Sequence, residues 1–171
     1  MAGLERVCVC GAGTMGNGIV QVFAAHGTKV AMVDVAEPAL ERGRATIEKS
    51  LARFVKKEKL SQGDADAILG RITTSTDLAA ASDAELVVEA VVEKVEVKRE
   101  LFSKLDEITP KDAILATNTS SISITEIAAA TSRADQVIGM HFMNPVPLMK
   151  LVEIIRGQET SDETTARVVA A

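Results

Sequence analysis

The chain has 171 residues, 47% of them hydrophobic, and a formal net charge of −5. This length suits one domain with a substantial core. The negative charge and the lack of Trp and Tyr argue against a nucleic-acid surface, since neither a basic field nor stacking aromatics are available. An apolar fraction rich in Val, Ile, Leu and Ala is typical of a parallel sheet covered by helices.

The N-terminal apolar run predicts a buried strand that ends at Gly11. A helix is predicted from Thr14 to His26 and is closed by Gly27. A second strand follows over Lys29 to Val33 and ends at Asp34. Strand, glycine turn, helix, strand and terminal acid make up one mononucleotide-binding unit.

The glycine turn has the spacing of a dinucleotide-binding loop. Gly11 permits the tight turn, Gly13 lets a pyrophosphate approach the backbone, and Gly16 allows close packing of helix on strand. Asp34 can accept hydrogen bonds from both ribose hydroxyls and would repel a 2′-phosphate, which favours NAD over NADP. A structural turn without a ligand is the alternative interpretation, and the strand–helix–strand context speaks against it. The six residues of the loop are Gly11, Ala12, Gly13, Thr14, Met15 and Gly16.

A helical excursion is predicted after the second strand. Its long first helix begins near Pro38, a shorter one covers Ser61 to Leu69, and the sheet resumes at Ile72. Ser50 and Lys57 lie two turns apart, at one edge of the apolar stripe of the long helix. Lys57 belongs to a run of charged residues, for which a solvated face is the ordinary interpretation.

The second half of the chain continues the alternation of strands and helices. A strand over Glu85 to Ala90 precedes an amphipathic helix, and a strand over Ala113 to Ala116 opens into a polar loop that contains Ser120. A strand over Gln136 to Met140 carries His141 at its end. We therefore predict an α/β fold: a Rossmann-like, doubly wound, mostly parallel sheet, whose final strand is a candidate for antiparallel pairing.

The last predicted strand covers Met149 to Arg156. Period-two alternation places Leu151, Glu153 and Ile155 on one apolar face, where a buried carboxylate needs a partner. His141 is the obvious candidate. A further helix, with Thr160 and Glu163 as its capping box, is predicted next; the chain ends inside it without a stop signal, as expected of a truncated chain.

His141 is the candidate general base, because imidazole accepts and returns protons near neutral pH. It ends a strand, where open α/β sheets place their ligand crevice, and a satisfied core histidine is the alternative. Ser120 could bind a substrate oxygen, although a turn or capping serine explains it equally well. His26 lies at a helix end and needs no function.

Two cysteines lie in the first strand. Cys8 and Cys10 alternate with valines, and we expect them on opposite faces, where they can neither pair nor jointly hold a metal. Buried free thiols indicate a reducing compartment, the cytoplasm. The apolar stretch is short and enters a glycine turn at once, so neither a signal peptide nor a membrane span is expected, and no metal site is predicted.

Together these segments resemble the N-terminal domain of the 3-hydroxyacyl-CoA dehydrogenases, especially the bacterial 3-hydroxybutyryl-CoA dehydrogenases. The resemblance spans essentially the whole chain, and its last block is far more specific than the glycine loop. It rests on the glycine loop and on the motifs Val88-Glu89-Ala90-Val91-Val92-Glu93, Asn118-Thr119-Ser120-Ser121 and His141-Phe142-Met143-Asn144-Pro145-Val146-Pro147, continuing to Glu153.

The resemblance implies a role for each matched position. His141 would be the catalytic base, Glu153 its carboxylate partner, and Ser120 a contact of the reacting oxygen near the nicotinamide. Coenzyme A contacts would fall on Ser50 and Lys57, which gives the charged run a function. Contacts to NAD would fall on the glycine loop, Asp34, Glu93, Lys98, Ser120 and Asn144. The substrate would be an acyl-CoA rather than a nucleic acid or a membrane.

The reaction implied is the interconversion of (S)-3-hydroxyacyl-CoA and 3-oxoacyl-CoA with NAD. Members of the family continue into a helical domain that mediates homodimerisation and closes the acyl site, so we expect residues 1–171 to be the NAD-binding domain without that C-terminal domain. A crystallin-like or regulatory module that binds NAD without turnover is the alternative. A short-chain hydroxyacid dehydrogenase is a third possibility, but such enzymes typically use a lysine in place of the histidine pair.

Overall fold

The computed structural model describes residues 4–171 as a central sheet with helices on both faces. The strands are β1 Arg6–Cys10, β2 Lys29–Val33, β3 Ile72–Ser75, β4 Leu86–Glu89, β5 Ile114–Thr117, β6 Val137–Phe142 and β7 Val152–Arg156. The helices are α1 Thr14–Ala25, α2 Glu37–Lys56, α3 Gln62–Gly70, α4 Val95–Ile108, α5 Ile124–Ala128 and α6 Asp162–Val169. Short 3₁₀ turns cover Leu78–Ala81 and Ala134–Gln136.

The sheet has the strand order β3-β2-β1-β4-β5-β6-β7. All neighbouring strands from β3 to β6 are parallel, and β7 is antiparallel to β6. The predicted doubly wound sheet and the helical excursion between β2 and β3 are therefore confirmed. The order reverses between β1 and β4, so a crevice opens there at the carboxyl ends of the strands, where such sheets bind their ligands.

Two hydrophobic layers cover the sheet. Val7 and Val9 point into the layer that includes α1, α2 and α3, while Cys8 and Cys10 point into the layer of α4 and α5. The expectation that the two cysteines face opposite sides was wrong, because residues two apart in a strand share a face. Both are buried free thiols. A hydrogen bond with Cys8 and complete burial raise the pKa of Cys10 well above its ordinary value.

The C-terminal segment differs from its prediction at the helix cap. Ser161 caps α6, since its Oγ accepts a hydrogen bond from Thr164 N at 3.1 Å. The predicted cap, Thr160, is buried and donates instead to Val137 O at 2.7 Å. The predicted capping box of Thr160 and Glu163 was therefore wrong, because the Thr160 hydroxyl already bonds to β6.

The last strand is shorter and more open than predicted. It begins at Val152 rather than Met149. The face that carries Leu151, Glu153 and Ile155 is exposed rather than buried, because β7 is the edge of the sheet and this side lies uncovered within residues 4–171. In the same part of the chain, no helix combines the length and apolar character needed to cross a membrane.

Candidate active site

The glycine loop connects β1 to α1 at the reversal of strand order. Gly11 adopts a positive φ of 105°, and its N–H donates to Val33 O at 2.7 Å, which turns the chain sharply. A Cβ on Gly16 would lie 1.7 Å from Gly11 O, so only glycine fits there. A Cβ on Gly13 would meet nothing within 4 Å in the described part of the chain. The open space beside Gly13 is what an approaching diphosphate requires.

Asp34 lies at the end of β2 and is tied to this loop. Its Oδ2 accepts from Ala12 N at 2.9 Å, and its Oδ1 accepts from Ala36 N at 3.1 Å. Each carboxylate oxygen can accept more than one hydrogen bond, and Asp34 is only partly buried. The carboxylate therefore remains able to accept from ribose hydroxyls while it holds the loop in shape.

A cleft of about 360 Å³ lies along the carboxyl ends of β4, β5 and β6. It gathers predicted cofactor residues from distant parts of the sequence, together with the candidate base. Its lining is Met15, Ala90, Val91, Glu93, Lys98, Asn118, Ser120, His141, Phe142, Met143 and Asn144.

His141 and Glu153 face each other across the antiparallel pair of β6 and β7. His141 Nδ1 donates to Glu153 Oε2 at 2.8 Å. The imidazole is 22% exposed and the carboxylate 52% exposed, so this is an accessible pair at the rim of the sheet. With Nδ1 committed to the carboxylate, Nε2 of the neutral ring carries the lone pair and is free to accept a proton.

A second cleft of about 340 Å³ adjoins the first. Ser120 and His141 border both clefts, so they stand at the boundary between them. The second cleft is otherwise lined by residues 119 and 121–125 and by Glu153, Ile155 and Arg156. Two groups that reach into adjoining spaces are suited to act on a substrate in one and a cofactor in the other.

A buried ion cluster supports the floor of the first cleft. Lys98 is 1% exposed, and its Nζ lies 2.6 Å from Glu89 Oε1 and 3.1 Å from Glu93 Oε2. Thr119 donates a hydrogen bond to Glu93. Partial burial acts to raise the pKa of Glu93, but hydrogen bonds from Thr119 and Lys98 and the Lys98 charge outweigh it, so that pKa lies below its ordinary value. Glu93 therefore remains a carboxylate at neutral pH.

Sequence reasoning missed the central member of this cluster. Glu89 is fully buried at the end of β4 and bonds Val91 N, Lys98 Nζ and Thr117 Oγ1. A usable signal was present, because a carboxylate inside the apolar run of a buried strand must have partners. Asn118 was also missed as a structural link: its Oδ1 accepts from Phe142 N at 2.9 Å and joins the β5 loop to the end of β6.

The predicted coenzyme A residues lie apart from this site. Ser50 is in α2 and Lys57 is the exposed residue that ends it. Neither borders the two clefts within the described residues. The structure thus brings together the predicted catalytic and nicotinamide-side residues but leaves these two on the helical excursion.

The strand order, the glycine turn and the terminal acid of β2 define a dinucleotide-binding domain, and the histidine–carboxylate pair beside the cleft is typical of oxidoreductases that use a nicotinamide. Residues 6–171 match the model of the family described as "3-hydroxyacyl-CoA dehydrogenase, NAD binding domain". The chain belongs to this family, and NAD is its cofactor.

Similar proteins agree with this assignment. A protein of Deinococcus radiodurans named probable 3-hydroxybutyryl-CoA dehydrogenase is 53% identical over 161 residues, which cover 94% of this chain and 57% of that protein. A 3-hydroxybutyryl-CoA dehydrogenase of Clostridioides difficile is 46% identical over 159 residues, 93% of this chain and 57% of its own.

The solved structure of an (S)-3-hydroxybutyryl-CoA dehydrogenase from Ralstonia eutropha superposes with a TM-score of 0.95 at 49% identity. The match covers 98% of this chain and 59% of that chain. The chain therefore spans somewhat more than half the length of the relatives it matches.

Proposed function

We propose that this domain catalyses the NAD-dependent interconversion of an (S)-3-hydroxyacyl-CoA and the 3-oxoacyl-CoA, as part of a longer enzyme. The observation that carries the proposal is the 2.8 Å hydrogen bond between His141 Nδ1 and Glu153 Oε2 at the boundary of the two clefts. The names of its relatives favour a short acyl chain, that of 3-hydroxybutyryl-CoA.

The residues of the glycine loop fit the bound cofactor. The space beside Gly13 admits the diphosphate at the N-terminal end of α1, and Asp34 receives the adenosine ribose. Thr14 and Met15 form the first turn of that helix, and Ala12 presents its backbone to Asp34. Four residues of the first cleft hold the nicotinamide half, namely Glu93, Lys98, Ser120 and Asn144.

Proton transfer falls to His141. Bound NAD would supply the acceptor for the hydride of the hydroxyl-bearing carbon. Nε2 of His141 takes the hydroxyl proton, and the Glu153 carboxylate fixes the ring and stabilises the imidazolium that forms. The Ser120 hydroxyl donates to the substrate oxygen as that oxygen becomes a carbonyl. In the reverse direction His141 returns the proton.

The remaining assignments concern the rest of the enzyme. Ser50 and Lys57 contact coenzyme A from the helical excursion, and Lys57 does so through a phosphate. A C-terminal helical domain, outside residues 1–171, closes the acyl site and forms a homodimer. The buried free thiols of Cys8 and Cys10 favour a reducing compartment, so we place the enzyme in the cytoplasm.

The test uses the full-length protein that contains this domain, with 3-hydroxybutyryl-CoA and NAD as substrates. His141→Ala should lower kcat by about 100- to 10,000-fold, the usual contribution of a general base. Glu153→Gln should lower kcat by less, because an amide still accepts from Nδ1 but no longer stabilises the imidazolium. NADH affinity, followed by fluorescence, should survive both changes.

His26→Ala is the matched control. This histidine is exposed, and its Nδ1 lies 2.9 Å from Val22 O in its own helix. Its replacement by alanine should leave kcat and NADH affinity unchanged. Near-parent turnover in a folded His141→Ala enzyme would refute the proposed mechanism, and NADH binding without turnover by the parent would favour a regulatory or crystallin-like module.

A further inference from the structure

Glu89 is the most completely enclosed charged group beside the proposed site. Its side chain has 0% exposure, and three hydrogen bonds hold the carboxylate. Oε1 accepts from Val91 N at 2.7 Å and from Lys98 Nζ at 2.6 Å, while Oε2 accepts from Thr117 Oγ1 at 2.6 Å. With no exposed surface, Glu89 cannot touch a substrate or cofactor, so any effect on the reaction must pass through its partners.

Two chains of contacts lead from Glu89 to the same residue, Thr119. The first runs through Thr117, whose Oγ1 accepts from Thr119 N at 3.3 Å. The second runs through Lys98 to Glu93 at 3.1 Å, and Glu93 accepts from the Thr119 hydroxyl. Glu89 and its four neighbours therefore form a closed ring, which Thr119 joins through its backbone N–H on one side and its hydroxyl on the other.

Thr119 controls the loop that carries Ser120. Its Oγ1 accepts from Ile122 N at 3.0 Å and from Ser121 N at 3.3 Å. The Thr119 hydroxyl, which the ring itself fixes, thus holds the backbone that follows Ser120, while Thr117 Oγ1 holds the Thr119 amide on the preceding side. Because its backbone is held in this way, Ser120 loses little freedom when its hydroxyl meets a substrate oxygen.

We propose that Glu89 is a positioning residue, which holds the Ser120 loop and the Lys98 ammonium in their working geometry through this closed ring. The inference rests on the proposed function for its kinetic consequence, but the geometry of the loop does not depend on it. The carboxylate charge matters because the buried Lys98 ammonium needs counter-charge on the side away from the cleft.

A purely structural role for Glu89 is the competing explanation, and a second enclosed ion pair offers the comparison. Arg133 Nε lies 2.7 Å from Asp106 Oδ1, with side-chain exposures of 6% and 14%. This pair joins the end of α4 to the segment after α5 and does not border either cleft among the described residues. Asp106→Asn, like Glu89→Gln, converts an enclosed, ion-paired carboxylate into an amide, but it does so away from the clefts.

The first measurement is amide hydrogen exchange of the full-length protein without cofactor or substrate. Glu89→Gln removes the charge and replaces the oxygen that Thr117 uses with an N–H donor. We expect the amides of Ser121 and Ile122 to exchange about tenfold faster, because local opening of the loop sets their rate. Asp106→Asn should leave these two amides as in the parent.

The second measurement is steady-state kinetics with 3-hydroxybutyryl-CoA and NAD. Glu89→Gln should lower kcat by about 10- to 100-fold with an unchanged KM for acyl-CoA, as expected when a supporting hydrogen-bond partner is removed from a functional group. Asp106→Asn should lower the thermal midpoint while kcat stays at the parent value. Exchange and kcat at parent values in Glu89→Gln would overturn the proposal.

If Glu89→Gln fails to fold, substitutions of Thr117, in the first chain of contacts, provide the test. Thr117→Val removes the hydroxyl that links Glu89 to Thr119 without removing a charge, and Thr117→Ser keeps that hydroxyl. We expect faster exchange at Ser121 and Ile122 in the valine variant and parent-like exchange in the serine variant. Equal exchange in the two variants would overturn the proposal, whereas a parent without turnover would overturn only the proposed reaction.

Discussion

Two glycines of the turn between β1 and α1 differ in the space that surrounds them. At Gly16 the obstacle is internal, because an added Cβ would lie 1.7 Å from Gly11 O and the turn itself would have to open. At Gly13 an added Cβ would meet nothing within 4 Å among residues 4–171, so only a ligand could require glycine there. A methyl group can therefore separate folding from binding at these two positions.

Gly13→Ala should fold normally and bind NADH at least tenfold more weakly, about 1.4 kcal/mol, because its methyl group occupies the space proposed for the diphosphate. The backbone of Gly13 is extended, with φ −65°, so alanine is not strained there. Fluorescence titration and the thermal midpoint together check this. Gly70→Ala, which also meets open space, is the control and should not change NADH affinity. Parent-like affinity in Gly13→Ala would place the diphosphate elsewhere.

At this scale, the sequence predicts a residue when its role follows from its position on one element. Asp34 directly follows β2 and His141 is the last residue but one of β6, and these positions near a strand end were visible from the pattern. Glu89 also ends a strand, but its partners come from α4 and β5, and only the fold brings them together. Strand geometry alone was enough to predict which face of the sheet Cys8 and Cys10 share. The prediction of opposite faces was wrong because residues i and i+2 of a strand point to the same side.

At the scale of elements, Arg133 joins the end of α4 to the segment that leads into β6. Its side chain bonds Asp106 Oδ1 at 2.7 Å, Asp106 O at 2.6 Å and Pro110 O at 2.5 Å. Burial acts to raise the pKa of Asp106, but hydrogen bonds from Ser132 and Arg133 and the Arg133 charge outweigh it, so that pKa lies below its ordinary value. The lowered pKa makes this junction a source of pH-dependent stability.

Asp106→Asn should lower the free energy of unfolding at pH 7 by about 2 kcal/mol, because a nearly buried guanidinium loses its counter-charge. The carboxylate stabilises the fold fully above its unfolded-state pKa of about 3.9, and this stabilisation is lost as pH falls through the lower folded-state pKa. Urea unfolding at pH 7 and at decreasing pH below 4 should show parent and variant converging. A gap that persists at the lowest pH would mean that the charge is not responsible.

Elements with a strong local pattern were predictable, and the edge of the sheet was not. The alternation before Arg156 indicated a strand, and the antiparallel pairing places Glu153 opposite His141. That same alternation wrongly implied a buried face, because an apolar stripe looks alike whether this domain or another surface covers it. Similarly, Ser161 and Thr160 are both good cap residues, and only the tertiary contact with Val137 O decides between them.

At the scale of the whole molecule, the proposed acyl-CoA must span two separate regions. The proposed place of its reacting end is the boundary of the two clefts, which Ser120 and His141 both line at the carboxyl edge of the sheet. The basic run at the end of α2 lies on the helical excursion between β2 and β3. A long, phosphorylated thioester such as an acyl-CoA could reach both the clefts and the end of α2. The exposed Lys57 would contribute to its binding through charge alone.

Lys57→Ala in the full-length enzyme should raise the KM for acyl-CoA by about two- to fivefold at low salt, the scale of one exposed ion contact. NADH affinity should stay at the parent value, because Lys57 does not border the first cleft within the described residues. The effect should shrink as ionic strength rises toward about 0.15 M, where charges are screened over roughly 8 Å. Lys111→Ala makes the same change in net charge just before β5, which lies three strands from β2 in the sheet, and should leave KM unchanged. Equal KM values in the two variants at every salt concentration would return Lys57 to an ordinary solvated surface.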